Sequence, residues 1–194
     1  MEREKKRLFI DMDGTLAEFK SVDTLETLYE EGYFLNLKPQ MNVVNAVRRI
    51  KLLNPDIEVY ILSSVLSDSK YALNEKNAWL DRYLPEIDKE HRLFPACGTD
   101  KREIVAGGVT PADFLLDDYS MNLRSWDPPA RGIKLRNGIN GNNGTWTAES
   151  VSYADSPEKL SNNIVKIMNS AKVFQEHFES DLMMQPLHHR KGGR

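Results

Sequence analysis

Residues 8–16 of this chain, LFIDMDGTL, contain the pattern around which the rest of the sequence is arranged. Three apolar residues run directly into two carboxylates, Asp11 and Asp13, and a Gly-Thr pair follows at once. A short apolar run bounded by a turn signal predicts a buried strand, here residues 8–13. Because side chains alternate along a strand, we expect Asp11 and Asp13 to point the same way at its carboxyl end.

This carboxylate pair indicates phosphoryl chemistry with a metal ion. Two carboxylates this close repel each other when unpaired, and Mg²⁺, a hard cation with oxygen ligands, relieves that repulsion. One carboxylate can attack phosphorus to form an aspartyl-phosphate, while the other protonates the leaving oxygen and later deprotonates water. Gly14 allows a sharp turn whose backbone N–H groups can face an anion. The alternative is a strand that ends in an Asp-rich turn without a chemical role.

The composition predicts one soluble, globular domain. A chain of 194 residues fits a single domain, and 40% hydrophobic with 28% charged residues is typical of a globular protein. A net charge of −3 without a long basic run argues against nucleic acid as a partner. The single cysteine, Cys97, excludes an internal disulfide and suits a reducing compartment. The first residues lead into too few apolar positions for a signal peptide or a membrane span, so we expect a cytoplasmic protein without a membrane partner; the sequence does not indicate its oligomeric state.

The hydrophobic pattern alternates between strands and helices. Such alternation predicts an α/β fold, a Rossmann-like parallel sheet with helices on both faces, in one domain over residues 1–180. The later predicted strands are 57–62, 92–95, 113–116 and an edge strand at 133–135. The predicted helices are a short one that ends at Gly32, then 41–53, 69–83 and one from Pro157 to about Glu179 with Ser156 as its cap. Residues 33–39 are expected to be extended, and residues 181–194 to form a disordered tail.

Polar residues follow two of the later strands. Ser63 and Ser64 come after the strand at 57–62, and Asp117 and Asp118 come after the strand at 113–116. Ligands of parallel sheets lie at the carboxyl ends of the strands, so we expect these residues to converge on the first carboxylate pair, with Lys101 in a neighbouring loop. A serine hydroxyl can bind a phosphate oxygen, a lysine can balance phosphoryl charge, and an acidic pair can complete a magnesium site. Taken singly, the alternatives are a helix-capping turn, a surface lysine and a strand-terminal turn.

The order of these motifs resembles the haloacid dehalogenase superfamily of phosphatases, in which Asp-x-Asp is followed by Ser/Thr, then Lys, then an acidic pair. Within that superfamily the chain is similar to the cytosolic and mitochondrial 5′(3′)-deoxyribonucleotidases. The similarity covers residues 7–120 and rests on residues 11–19, 29–47, 74–80 and 97–101. The resemblance implies a Mg²⁺-dependent phosphomonoesterase whose partner is a small-molecule phosphate ester, a (deoxy)nucleoside monophosphate.

The resemblance also implies a role for each matching residue. Asp11 would be the nucleophile and Asp13 the general acid and base. The metal ligands would be Asp11, the backbone carbonyl of Asp13 and Asp118, with Asp117 beside it. The phosphate would be held by Ser63, Lys76 and Lys101, with Ser64 close by. The nucleoside would face Phe19 and Phe34, for which plain core packing is the alternative.

Two features depart from the family pattern. Residues 17–38 leave room only for a reduced cap, an insertion after the first strand that is longer in the deoxyribonucleotidases. The Gly/Asn-rich loop at 137–146 has no counterpart there, so both a lid over the site and a plain surface loop are considered. A reduced cap keeps other functions open: a phosphatase of another small phosphate ester or of nucleic-acid 3′-phosphate ends, or a non-catalytic phosphoryl-binding module. The complete set of catalytic residue types disfavours the last of these.

Overall fold

The computed structural model describes residues 5–19, 22–139 and 146–170, and in these ranges the chain forms six strands and four α-helices. The strands are β1 (Lys6–Ile10), β2 (Ile57–Leu62), β3 (Arg92–Leu93), β4 (Asp113–Asp117), β5 (Arg131–Arg136) and β6 (Ser150–Ser152). The helices are α1 (Met41–Leu53), α2 (Ala72–Tyr83), α3 (Ser120–Trp126) and α4 (Pro157–Asn169). Short 3₁₀ helices lie at Leu25–Tyr29, Lys89–His91 and Lys101–Ile104.

The strands form one sheet in the order β3-β2-β1-β4-β5-β6. Every neighbouring pair is parallel, which confirms the predicted α/β, Rossmann-like fold. The chain starts in the middle of the sheet, moves outward through β2 and β3, and then crosses to the other side of β1 with β4. The direction in which the chain adds strands reverses between β1 and β4. Parallel sheets of this kind bind their ligands at such a switch point, in the crevice outside the carboxyl ends of the strands.

Helices cover both faces of the sheet. Leu8 and Ile10 of β1 belong to a large core with side chains of α1, α2 and α4, whereas Phe9 belongs to a second core with side chains of α3. The Phe9 ring packs edge-on against Trp126 of α3, with the ring centroids 5.1 Å apart. These three β1 side chains are at most 1% exposed. Burial on both faces explains why the strand has a continuous apolar sequence rather than an alternating one.

The elements with strong apolar patterns match their predictions. α1 and β2 have the predicted bounds. α4 begins as predicted, because Ser156 is its N-cap and accepts a hydrogen bond from the Lys159 N–H at 3.3 Å. However, α4 ends at Asn169, where Ser170 is extended. The prediction of one helix that continues to about Glu179 is therefore wrong, and the predicted disordered tail lies outside the described residues.

Two further local predictions are wrong. Residues 33–39, expected to be extended, form turns as far as residue 36, since Gly32 takes a positive φ of 87° and the turn is hydrogen-bonded to α2. The strand expected at the sheet edge is β5, which lies between β4 and β6. α3 and β6 were not predicted because 7 and 3 residues are too short to show a clear period.

No helix in the described ranges is both long enough and apolar enough to cross a lipid bilayer. α1 and α4 have 13 residues each, whereas a helical span needs about 20 apolar residues. The expected cytoplasmic location stays a prediction.

Candidate active site

The sequence-predicted site residues surround one cleft at the carboxyl ends of β1, β2 and β4, with the exception of Phe34. The cleft has a volume of about 330 Å³. The predicted residues that line it are Asp11, Asp13, Phe19, Ser63, Ser64, Asp117 and Asp118. The ammonium groups of Lys76 and Lys101 reach carboxylates of the same cleft. The cleft lies at the switch point between β1 and β4, where the topology places a ligand site.

A tight turn after β1 positions the first carboxylate pair. β1 ends at Ile10, earlier than predicted, because the chain turns on one carbonyl: the N–H groups of residues 15–17 all donate to Met12 O, at 2.9 to 3.2 Å. Gly14 has a φ of +83°, and a Cβ at this position would lie 2.7 Å from Asp118 Cγ. Only glycine therefore lets the turn come this close to the acidic pair after β4.

Lys101 bridges two carboxylates of the cleft. Its Nζ donates to Asp11 Oδ1 at 2.6 Å and to Asp117 Oδ2 at 2.7 Å. Lys101 is 3% exposed and Asp117 is fully buried, so the ion pair lies where electrostatic attraction is strong and desolvation is costly. The short helix that carries Lys101 is capped by Asp100, which accepts from the Arg102 N–H at 3.0 Å. The local structure thus holds a positive charge against Asp11.

Burial changes the protonation of this pair. Desolvation is the largest influence on Asp11; together with repulsion from Asp117 it outweighs the attraction of Lys101 and raises the pKa of Asp11 to about 7. Desolvation also disfavours the charged form of Lys101, but the combined attraction of the two carboxylates holds the pKa of Lys101 above its ordinary value. The ionised Asp11 carboxylate is therefore costly in the protein alone, and a further cation nearby would favour it.

Lys76 of α2 connects the carboxylate of Asp13 with the serines after β2. Its Nζ donates to Asp13 Oδ2 at 2.5 Å, to Ser63 Oγ at 3.1 Å and to the Ser64 carbonyl at 2.6 Å. An ammonium group has three N–H donors, so these contacts use all of them. The lysine is fully buried, and Nζ lies 4.9 Å from the centroid of the Phe34 ring. A phosphate oxygen can therefore bind Lys76 only by replacing one of its present partners.

The second carboxylate oxygen of Asp13 is a buried acceptor. Within the described residues, Asp13 Oδ1 has no hydrogen-bond partner, whereas Oδ2 is held by Lys76. Buried polar atoms are normally paired. Because Asp13 lines the cleft, a group bound in the cleft can supply the missing donor.

A carboxylate cluster in the cleft fits a divalent metal ion. Oxygen atoms of Asp11, Asp117 and Asp118 lie within 4.8 Å of one another, and all three residues are buried. Asn137 Nδ2 donates to Asp118 Oδ2 at 2.8 Å and to the Gly14 carbonyl at 2.7 Å, which holds the third carboxylate beside the β1 turn. The cleft contains a fourth carboxylate, that of Asp13, and the ammonium groups of two lysines reach into it. When these four carboxylates and two ammonium groups are all ionised, their net formal charge is −2. Buried, converging carboxylates with this excess charge match the oxygen ligands that Mg²⁺ prefers.

Glu75, which the sequence analysis did not single out, fixes the segment that precedes α1. Its carboxylate accepts hydrogen bonds from three N–H groups of residues 32–35, at 2.5, 3.0 and 3.3 Å. Trp79 Nε1 donates to the Leu37 carbonyl at 2.8 Å. Residues four apart share one face of a helix, and this spacing of Glu75 and Trp79 was the available signal. α2 therefore carries Lys76 and also fixes the backbone of residues 32–37 beside it.

The two predicted nucleoside contacts are placed differently. Phe19 lines the cleft. Phe34 is 4% exposed and belongs to the main core, with its ring against the Lys76 ammonium. Core packing, the alternative stated for both residues, describes the position of Phe34.

Three residues that the sequence pattern did not single out also line the cleft: Tyr119, Asn122 and Ile139. Asn122 Nδ2 donates to Asp117 Oδ2 at 2.9 Å, and so adds a second donor beside Lys101 to that oxygen. No periodic signal in the sequence marked Asn122, because Asp117 ends β4 and Asn122 lies in α3, with the extended residue Tyr119 between them.

The loop after β5 borders the cleft through Ile139, the last residue described before position 140. The Ile139 N–H donates to Asn137 Oδ1 at 2.9 Å, and Asn137 contacts the acidic pair through its amide nitrogen. Residues 140–145 lie outside the described ranges. The lid considered for residues 137–146 therefore stays a prediction.

The sequence matches one protein family over most of its length. The family is described as 5′ nucleotidase, deoxy (pyrimidine), cytosolic type C protein, and the match covers residues 18–156. The matched range includes the serines after β2, both lysines of the cleft and the acidic pair after β4. Asp11 and Asp13 precede it.

Individual relatives carry related names. A putative 5′(3′)-deoxyribonucleotidase of Vibrio phage KVP40 is 33% identical over 92 residues, 42% of this chain and 52% of that protein. One of Staphylococcus epidermidis is 29% identical over 103 residues, 53% of this chain and 50% of that protein. The human 5′(3′)-deoxyribonucleotidase of cytosolic type is 25% identical in a 150-residue alignment that covers 58% of this chain and 70% of that protein. The chain thus spans about half the length of the first two relatives. The predicted resemblance is confirmed, and the chain belongs to the family of 5′ nucleotidase, deoxy (pyrimidine), cytosolic type C proteins.

Proposed function

We propose that the chain is a phosphomonoesterase that hydrolyses (deoxy)nucleoside monophosphates through an aspartyl-phosphate on Asp11. Membership of a nucleotidase family supports a small-molecule nucleotide as the substrate. The observation that carries the proposal is the position of Asp11, which lines the cleft while a buried lysine holds its Oδ1 at 2.6 Å.

The first step is attack of the Asp11 carboxylate on phosphorus. A bond forms between Asp11 and phosphorus while the bond from phosphorus to the leaving oxygen breaks, and that oxygen takes the electron pair. Lys101 supports this step in two ways. It orients the nucleophile through the hydrogen bond to Oδ1, and its positive charge lies where the phosphoryl group would bring negative charge.

Asp13 is the proposed proton-transfer group. Its Oδ1 has no partner in the described part of the chain, so it is available to a substrate oxygen. When protonated, it gives its proton to the leaving oxygen. It then takes a proton from water, whose oxygen attacks phosphorus and breaks the bond to Asp11. Both aspartates return to their starting state, and the products are an alcohol and phosphate.

Ser63 and Lys76 are proposed to hold the phosphate oxygens, with Ser64 beside them. The Ser63 hydroxyl and the Lys76 ammonium are 3.1 Å apart. Lys76 would exchange one of its three partners for a phosphate oxygen, while the remaining two keep the ammonium in place. The two groups would thus bind the phosphate oxygens and place the phosphorus next to Asp11.

A divalent metal ion, proposed to be Mg²⁺, completes the site. Asp11, Asp117 and Asp118 would hold it, together with the backbone carbonyl of Asp13 expected from the resemblance. Bound there, the ion would supply Lewis-acid charge neutralisation to the phosphoryl group. The −2 charge of the cleft and the raised pKa of Asp11 are both consistent with a site that needs one more cation.

Phosphate release from a substrate panel tests this function. The panel holds nucleoside 5′- and 3′-monophosphates, sugar phosphates and a 3′-phosphorylated oligonucleotide, each with Mg²⁺ or with a chelator. Asp11→Asn is the test variant. Asp56→Asn is the matched control, because Asp56 is exposed and lies at the amino end of β2, the opposite edge of the sheet from the cleft. Acid quenching followed by peptide mass spectrometry should find transient phosphate on Asp11.

The outcomes separate the candidate functions. Release from nucleoside monophosphates that needs Mg²⁺, is lost in Asp11→Asn and persists in Asp56→Asn would support the proposal. Release only from another panel member would keep the mechanism and exclude the nucleotidase. If the folded protein with Mg²⁺ released phosphate from no substrate, the phosphatase would be contradicted and a phosphoryl-binding module favoured.

A further inference from the structure

Two apolar side chains beside the cleft have no part in the chemistry described above. Tyr119 precedes α3, Ile139 follows β5, and both line the cleft. They are 53% and 52% exposed, so neither belongs to the core. We propose that Tyr119 and Ile139 form, together with Phe19, the contact surface for the leaving group, and that this group has a flat apolar face such as a nucleobase. The inference deepens the proposed function and rests on it.

Hydrogen bonds tie both residues to the acidic pair after β4. The Tyr119 N–H donates to Asp117 Oδ1 at 2.7 Å. The Ile139 N–H donates to Asn137 Oδ1 at 2.9 Å, and Asn137 Nδ2 donates to Asp118 Oδ2 at 2.8 Å. The backbone of Tyr119 is thus bound directly to a site carboxylate, and that of Ile139 is bound to one through Asn137. A leaving group attached to a phosphate in the cleft therefore lies beside side chains whose backbones are fixed to the acidic pair.

The other aromatic candidate is held away from the cleft. Phe34 is 4% exposed, its N–H donates to Glu75 at 3.0 Å, and its ring lies against the Lys76 ammonium. It cannot reach a ligand without breaking these contacts. Among the described residues that line the cleft, the side chains with a large apolar surface are Phe19, Tyr119 and Ile139, and the others are aspartates, serines and one asparagine.

The chemistry of this surface favours a base over a bare sugar. An aromatic ring stacks on the π face of any nucleobase, and loss of one such ring typically weakens binding by about tenfold or more. A sugar phosphate presents mainly hydroxyl groups, which gain little from an apolar wall. Tyr119 and Ile139 are therefore assigned as specificity-determining residues, which raise the preference for a nucleotide over the same phosphate ester without its base.

The test compares two substrates with the same reacting bond. We would measure kcat and KM for thymidine 5′-monophosphate and for 2-deoxyribose 5-phosphate in the wild type, Tyr119→Ala, Tyr119→Phe and Ile139→Ser. Met121→Ala is the matched control, since Met121 lies in α3, is 56% exposed and is not among the residues that line the cleft. In Tyr119→Ala the ratio of kcat/KM for the nucleotide to that for the sugar phosphate should fall about tenfold, mainly through KM. Ile139→Ser should show a smaller fall, whereas Tyr119→Phe and Met121→Ala should keep the wild-type ratio.

Several results would overturn the assignment. They are an unchanged ratio in both Tyr119→Ala and Ile139→Ser, an equal fall in Tyr119→Phe and Tyr119→Ala, or the same fall in Met121→Ala. If the wild type hydrolyses neither of these substrates nor any other nucleoside monophosphate, the proposed function fails separately. Calorimetric titration with thymidine 5′-monophosphate then decides about the surface: a Kd about tenfold weaker in Tyr119→Ala supports it, and equal Kd values or no binding to the wild type overturn it.

Discussion

Replacement of Asp11 by Asn should stabilise the folded protein when no divalent metal is present. Asp11 is 7% exposed, and burial raises its pKa from an ordinary value of 3.8 to about 7. An acid whose pKa is higher in the folded than in the unfolded chain opposes folding once it is ionised. The wild type should therefore lose stability from this residue as the pH rises from about 4 to about 7, and a neutral Asn avoids that loss.

The size of the effect follows from a shift of about three pH units. At about 1.36 kcal/mol per unit, the ionised carboxylate costs about 4 kcal/mol, and relaxation around a buried charge reduces this figure. We expect Asp11→Asn to be more stable than the wild type by about 2 to 4 kcal/mol near pH 8, and by less than about 1 kcal/mol near pH 4. Groups far from the cleft titrate alike in both proteins, so the difference reports on Asp11 together with the charged groups that it contacts.

Urea unfolding in the presence of a chelator, repeated across this pH range, measures the difference. Asp56→Asn, which removes an exposed carboxylate at the amino end of β2, should follow the wild type. Mg²⁺ near pH 8 should stabilise the wild type more than Asp11→Asn, because the ion favours the ionised carboxylate. An Asn variant that is no more stable than the wild type near pH 8 in chelator would show that the ionised Asp11 carboxylate does not destabilise the fold.

Three other substitutions have defined consequences. Gly14→Ala should cost about 1 to 3 kcal/mol of stability in urea unfolding, because position 14 has a φ of +83°. The variant should also bind Mg²⁺ more weakly in calorimetry, because the new Cβ would press on Asp118. Unchanged Mg²⁺ affinity would contradict this. Lys101→Met should lower the free energy of unfolding by about 3 to 5 kcal/mol near pH 8 in chelator, since two buried carboxylates lose their shared cation. The variant should also release no phosphate. Added Mg²⁺ should restore part of the stability. Arg131→Met should cost about 2 to 4 kcal/mol yet leave kcat unchanged, because Arg131 lies at the amino end of β5, away from the cleft. Its guanidinium donates to the Ile167 carbonyl of α4 at 3.1 Å and to the carbonyl of Ser170, just after the helix, at 3.0 Å. A parallel fall in kcat would show that the cleft depends on this end of the sheet.

Local patterns in the sequence predict several elements of the fold and the residue types that meet in the cleft. The apolar stripe of α1 and the apolar run of β2 mark their own bounds, because burial of a helix face or a strand leaves a period in the sequence. Asp11 and Asp13 are separated by one residue, so their proximity is a property of the chain. The later motifs also converge as expected, because parallel strands bring their carboxyl ends to one edge.

Contacts between distant segments determine which side chains face the cleft and which are withdrawn from it. Phe34 packs in the main core, and Glu75, 41 residues away in the chain, accepts a hydrogen bond from its N–H group. Asn137 joins the site because it donates to the Gly14 carbonyl, 123 residues away. Tyr119 and Ile139 reach the cleft through elements too short or irregular to have a period. Such contacts depend on the packing of distant segments, for which a single sequence contains no local periodicity.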